Sequence, residues 1–250
     1  MHFTVDGQRV NATTGGRPFD PAKPVVLFIH GAGFDRTCWN LQTRYFAHHG
    51  RSVLAVDLPG HGESDPLPGN PQDPRSLALA VLSLVEKMKL GDLRVYAHNS
   101  AAAVALELAH RASGIILDAP AFLKDQSIAT RYAPPVEPVW DGSHWLRAWN
   151  HVRDSELWWP WFERKHENVV KGGHRIDPRA LTVRVREAMK QPASYAPAWE
   201  AALSYPWRER IKGLEKKIRT LCAPQDVFAH LSPEAIKVED NARSKAAAIR

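Results

Sequence analysis

VYAHNSAAAVALELA, residues 95–109, opens as a β-branched and aromatic run and ends as an alanine-rich helical pattern. Between the two lies a sharp turn at His98, Asn99 and Ser100. A strand that turns directly into a helix needs small residues on the helix side, because the two elements pack closely. Four other short apolar runs repeat the strand type: PVVLFIH (24–30), RSVLAVDLP (51–59), SGIILDAP (113–120) and KIRTLCAP (217–224). Continuous apolar character, rather than alternation, is expected of strands buried on both faces. Helical patterns fall between them, at roughly 36–49, 75–90 and 100–112. Strands alternating with helices predict an α/β fold with a mostly parallel sheet covered on both faces. HFTVDG and QRVNATT, at the start of the chain, read as an antiparallel hairpin at one edge.

The alternation stops between about Phe122 and Tyr205, where aromatics and prolines dominate. Seven of the nine tryptophans lie between Trp140 and Trp199. This predicts a core formed by residues 1–120 and 206–250, with 121–205 as a helical, Trp-rich cap or lid. The rings form the core of that insertion, the wall of an apolar pocket beneath it, or both.

Composition excludes several function classes. The net charge is +6, yet Lys and Arg are scattered and often sit beside acids, as in WFERKHE, so no nucleic-acid surface is expected. No apolar run reaches the length of a membrane span, and the N-terminus is too polar for a secretory signal. The expectation is a cytoplasmic protein, monomer or homodimer. Cys38 and Cys222 belong to no metal or redox spacing, and the twelve histidines show no ligand pattern, so neither metal nor cofactor is expected.

Three motifs follow strands in order: HGAG (30–33), DLPGHGES (57–64) and AHNSAAAVALELA (97–109). Together they resemble the α/β-hydrolase family, in its lid-bearing esterase, lipase and C–C hydrolase branch. The resemblance implies that the turn in HGAG offers the Ala32 N–H to an oxyanion, and that the residue after the nucleophile offers the second. The family's nucleophile turn reads Gly-x-Ser-x-Gly-Gly, whereas aligning the helical tail here gives Ala97, His98, Asn99, Ser100, Ala101 and Ala102. In one register Asn99 takes the tip and Ser100 supplies the second N–H. In the other, Ser100 is the nucleophile and His98 crowds the turn. Resemblance places the acid at Asp226, after the last clear strand, with Asp118 as the alternative. A base is harder to assign, because the family's late histidine has no counterpart after His230, the remaining candidate. EAIKVEDNARSKAAAIR leaves little room for a further strand before a terminal helix. His30 and His61 read as local turn partners, Asp57 as a structural acid, and Glu63 and Ser64 as loop-shaping residues. Two functions stay open: an enzyme acting on a mid-sized, largely apolar ester, lactone or ketone with an atypical catalytic set, or a pseudoenzyme that binds an apolar ligand or partner.

Overall fold

In the computed structural model, residues 1–16, 19–122, 131–170, 176–222 and 236–237 are described. Eight strands form one sheet: β1 (His2–Val5), β2 (Gln8–Thr13), β3 (Val25–Ile29), β4 (Ser52–Val56), β5 (Leu93–His98), β6 (Gly114–Asp118), β7 (Ile218–Cys222) and β8 (Ile236–Lys237). Their order is β1-β2-β4-β3-β5-β6-β7-β8. The first two strands are the expected hairpin and run antiparallel; every pair from β4 onward is parallel.

β3 shows why its run is continuously apolar. Val25, Leu27 and Ile29 enter one core with Leu77, Val81 and Leu84, which lie on α2 (Pro74–Lys87). Val26 and Phe28 enter a second core with Trp39, Phe46 and Tyr96. Phe46 belongs to α1 (Asn40–His48) on that opposite face. Each fully buried side chain of this size stabilises the fold by roughly 1.5–3 kcal/mol. α2 begins where Asp73 accepts the Ser76 N–H, with Pro74 in the first turn. α3 (Ala101–Glu107) follows β5, and Ala101, Ala102 and Ala103 are all buried, as the tight turn requires.

One expectation needs correcting. EAIKVED does contain a further strand: β8 pairs parallel with β7 through Leu221 opposite Ile236. At two residues it is too short to show a period in sequence.

Between β6 and β7 the described chain is helical: α4 (Ser143–Leu157), α5 (Pro178–Lys190), α6 (Pro192–Leu203) and the short α7 (Trp207–Arg210). Its tryptophans divide. Trp159 and Trp199 pack with Tyr132 and Leu203, whereas Trp140 is 99% exposed and Trp145 47%. None of the helices among the described residues is long and apolar enough to cross a membrane.

Candidate functional site

β3, β4 and β5 end side by side, so the turns that follow them converge at one edge of the sheet. At the end of β5 the backbone of Asn99 is left-handed, with φ +56°. Asparagine tolerates that region better than most residues. Its N–H donates to Asp118 O at 2.9 Å, and its own carbonyl accepts from Ala102 N and Ala121 N at 3.1 and 3.2 Å. Asn99 is therefore the residue at the tip, and Ser100 begins the descent into α3. Gly31 lies against this turn: a Cβ there would come within 3.1 Å of His98 O and Ser100 Oγ.

Ala32 and Ser100, the two expected oxyanion donors, do meet here, but both N–H groups already have partners. Ala32 N donates to Ser100 Oγ at 2.7 Å. Ser100 N donates to Asn99 Oδ1 at 2.9 Å, so the residue at the tip caps the N–H that follows it. Asp118, buried at the end of β6, anchors the turn through its carbonyl and accepts the Tyr96 hydroxyl at 2.9 Å. His98 packs edge-on against Phe34 and against Trp39, a member of the second core. Asp226 and His230 lie outside the described residues.

The turn after β4 is built on Asp57. Its carboxylate accepts Arg36 N at 2.6 Å and Glu63 N at 3.0 Å, and pairs with the Arg36 guanidinium, which also meets Glu63 at 2.9 Å. Ser64 Oγ donates to Asp57 O and accepts from Asn11 N. The structural readings of Asp57, Glu63 and Ser64 fit these contacts. His30 bridges the β3 and β4 turns, donating from Nδ1 to Gly31 O at 2.8 Å and accepting Leu58 N at Nε2 at 3.0 Å. Burial lowers its pKa to about 4 and that of neighbouring His61 to about 3, so both rings are neutral at pH 7.

A cavity opens beside the elbow between Ala32, Ser100, His61, Gln72, Leu77 and Ala202. The space open to the centre of a water molecule is about 10 Å³, and no tryptophan lines it. Gln72 was passed over in sequence, and His61 was read as a local turn partner. Among the described residues His61 bonds locally, through Nδ1 alone; Gln72 stands in a polar loop with nothing in sequence to mark it.

The helical segment reaches the same edge. A Cβ at Gly33 would lie 2.7 Å from Tyr195 Cε2 of α6. The Tyr195 hydroxyl is 2.8 Å from His151 Nε2 on α4. Lys190 Nζ meets Asp35 Oδ2 at 2.5 Å, and Gln191 Nε2 donates to Ser64 O at 2.6 Å. Glu187 is buried beside Asp35, and burial first, then that neighbour's charge, raises its pKa to about 7. Among the described residues no three His, Cys, Asp or Glu side chains gather into a metal site.

Comparisons with known proteins agree with this fold. Residues 26–243 match the family model described as the alpha/beta hydrolase family. The chain is 32% identical over 77 residues to (E)-2-((N-methylformamido)methylene)succinate hydrolase of Acinetobacter baylyi, covering 31% of this chain. That match spans only 28% of the curated relative's length. Among solved structures, the enol-lactonase from Burkholderia xenovorans LB400 superposes with a TM-score of 0.61 at 19% identity, over 89% of this chain and 80% of that one. AqDC, solved for recognition and ring-cleavage of the Pseudomonas quinolone signal, superposes with a TM-score of 0.67 at 16% identity, over 100% of this chain and 97% of its own. At such identities the structural likenesses speak for the fold. The family match covers most of the chain, and with it the protein belongs to the alpha/beta hydrolase family.

Proposed function

We propose that the protein is a hydrolase-type enzyme acting on a mid-sized, largely apolar ester, lactone or ketone at the β5 elbow, without an acyl-serine intermediate. The observation that carries this reading is Asn99 at φ +56°, a non-glycine residue held in the left-handed turn where the fold presents its nucleophile. Such backbone costs of order 1–3 kcal/mol and persists where the surroundings over-determine it. A neutral amide does not attack a carbonyl, but its Nδ2 can donate to one. Substrate binding would move Asn99 Oδ1 off the Ser100 N–H and put a substrate carbonyl oxygen there. This exchanges one neutral hydrogen bond for another, a difference of about 1 kcal/mol or less. In this reading Asp226 or Asp118 is the acid, His230 the base, and residues 121–205 the lid.

Turnover of p-nitrophenyl butyrate or a δ-lactone that survives Ser100→Ala is the expected result. Lost turnover in that variant, with melting unchanged, would place the nucleophile at Ser100 and overturn the proposal.

A second reading, a pseudoenzyme that binds an apolar ligand, is favoured by the two N–H groups already capped by Asn99 and Ser100. Its expected result is saturable binding of an apolar fluorophore with no turnover across ester, lactone and ketone panels. Stoichiometric fluorophosphonate labelling at one serine would defeat both readings.

A further inference from the structure

α5 meets the segment after β3 through four polar side chains that share too few protons. Lys190 Nζ lies 2.5 Å from Asp35 Oδ2, and the Asp35 side chain is wholly buried. Thr37 donates to Asp35 Oδ1 twice, from its backbone N–H at 2.8 Å and from its hydroxyl. The same hydroxyl oxygen lies 3.3 Å from Glu187 Oε1, and Glu187 is only 8% exposed. A hydroxyl carries one proton and can donate it once. Asp35 is the charged partner: burial works against its charge, but the Lys190 and Thr37 hydrogen bonds outweigh burial and hold its pKa below the ordinary value. The Thr37 proton is therefore committed to Asp35. Glu187 can bond Thr37 Oγ1 only by bringing a proton of its own and donating it to that oxygen. An ionised Glu187 would instead set a carboxylate against a lone pair, with the Asp35 carboxylate next beyond it.

We propose that these four residues form a proton-operated latch: protonated Glu187 clamps α5 onto the segment after β3, and its ionisation, with the proton passing to solvent, loosens α5. The hydrogen bonds run from Glu187 O–H to Thr37 Oγ1, from Thr37 O–H to the Asp35 carboxylate, and from the Lys190 ammonium to that same carboxylate. Burial first, and then the Asp35 charge, raise the Glu187 pKa to about 7, which brings release close to neutral pH. Arg184 and Lys190, on its own helix, favour the ionised form and moderate that rise. Arg184 is in turn paired with Glu156 of α4, and its charge also reaches His151 of α4 and Tyr195 of α6. The Cys38 thiol on the β3 side stays neutral, because burial first and then Glu187 push its pKa well up. Asp35 and Thr37 closely follow Gly33 in the chain, and a Cβ at Gly33 would lie 2.7 Å from Tyr195 Cε2 and 3.8 Å from Ala188 Cβ of α5. Loosening α5 therefore loosens the cover over the turn that carries the Ala32 N–H.

Glu187 titrates near 4.5 once released and near 7 in the latch. Closure therefore has its full advantage below pH 4.5 and loses it as pH rises through 7. In Glu187→Gln the amide donates to Thr37 at every pH, so that variant stays latched. Hydrogen exchange of the α5 amides, corrected for the intrinsic pH dependence of exchange, reads the opening in the full chain. Opening of the wild type relative to Glu187→Gln should rise about tenfold between pH 6 and 8. The ratio cancels any contribution from His151, which both proteins share. The ¹³C resonance of the wild-type Glu187 carboxyl gives a second readout, with an expected midpoint near pH 7. A midpoint near 4.5 would overturn the latch, even if the variant misfolds. So would a flat ratio, or a loss of protection spread equally over β3 and β4, which marks global unfolding instead. The latch goes beyond the proposed activity, and its test needs no turnover. A working latch without turnover would remove the enzyme reading alone, and turnover with a flat ratio would remove the latch alone.

Discussion

Two turns flank the end of β3, and they keep their shapes by different means. The one after β4 uses glycine at its left-handed positions, Gly60 at φ +72° and Gly62 at φ +54°. It gathers partners from distant segments, Arg36 on the Asp57 carboxylate and Asn11 on Ser64, beside the N–H of its own Glu63. The elbow after β5 has no glycine of its own. Asn99 supplies the left-handed residue and caps the next N–H with its own side chain. The turn after β4 commits the Asp57 and Ser64 side chains to other segments, whereas the elbow commits the Asn99 side chain to its own next N–H. This difference makes Asn99 a structural element of the resting turn, and under the proposed function a substrate contact once its cap is displaced.

Acid should separate the two most strongly. The β3 and β4 turns carry His30 and His61, lowered by burial to about 4 and 3; burial and then Arg184 lower His151 to about 4. In the unfolded chain each returns to about 6.5. The unfolded state therefore binds more protons below pH 6.5, and this share of stability, complete above 6.5, is lost as pH falls toward 4. Glu187 works the other way. Raised to about 7, it favours the fold below its ordinary range and loses that contribution as pH rises through 7. Three groups against one leave a net uptake near two protons on unfolding at pH 5.5. Each proton is worth about 1.4 kcal/mol per pH unit. Melting temperatures should drop steeply from pH 7 to 5, and Glu187→Gln should steepen the drop. A flat profile would mean that the buried histidines are charged in the fold.

Asp57→Ala should cost about 3 kcal/mol in urea unfolding, because it strips the partner from Arg36 and from two backbone N–H groups. Gly62→Ala tests the same turn from the backbone side. Its Cβ would lie 2.5 Å from Asp57 Cγ, and its φ is left-handed, so a loss of about 2–3 kcal/mol is expected. If the first variant is nearly neutral and the second is not, glycine alone shapes the turn.

How much of this was legible in sequence follows from the range of each interaction. β3 to β7 were readable from their apolar runs; β3 and β4 are buried along their whole length, and the two cores against Val25–Ile29 explain why no residue in that run is polar. The register at Asn99 was readable because only small residues fit where α3 meets β5. β8 was not, since two residues carry no period. Nor was the split among tryptophans, because Trp140 in solvent and Trp159 against Tyr132 are separated by tertiary contacts rather than by local pattern. His61 and Gln72 share Pro59 O, and the Gln72 loop is fixed through Asn70 by Ser194, 124 residues further on. Motif spacing carries no information about such a chain of contacts.

The smallest effects should come from the elbow itself, and they test whether it is self-contained. Asn99→Ala keeps the left-handed demand and removes the cap on Ser100 N, so it should cost about 1–2 kcal/mol. Asn99→Gly removes the cap but meets the φ of +56° without strain, and should recover about 1 kcal/mol of that loss. The gap between the two variants in denaturant unfolding measures the backbone strain; what remains in the glycine variant measures the cap. If both variants match the wild type, Asn99 Oδ1 contributes nothing at rest, and a substrate carbonyl reaches the Ser100 N–H without competition. If only the alanine variant is destabilised, the turn is shaped by its backbone alone, and the elbow works like the glycine turn after β4.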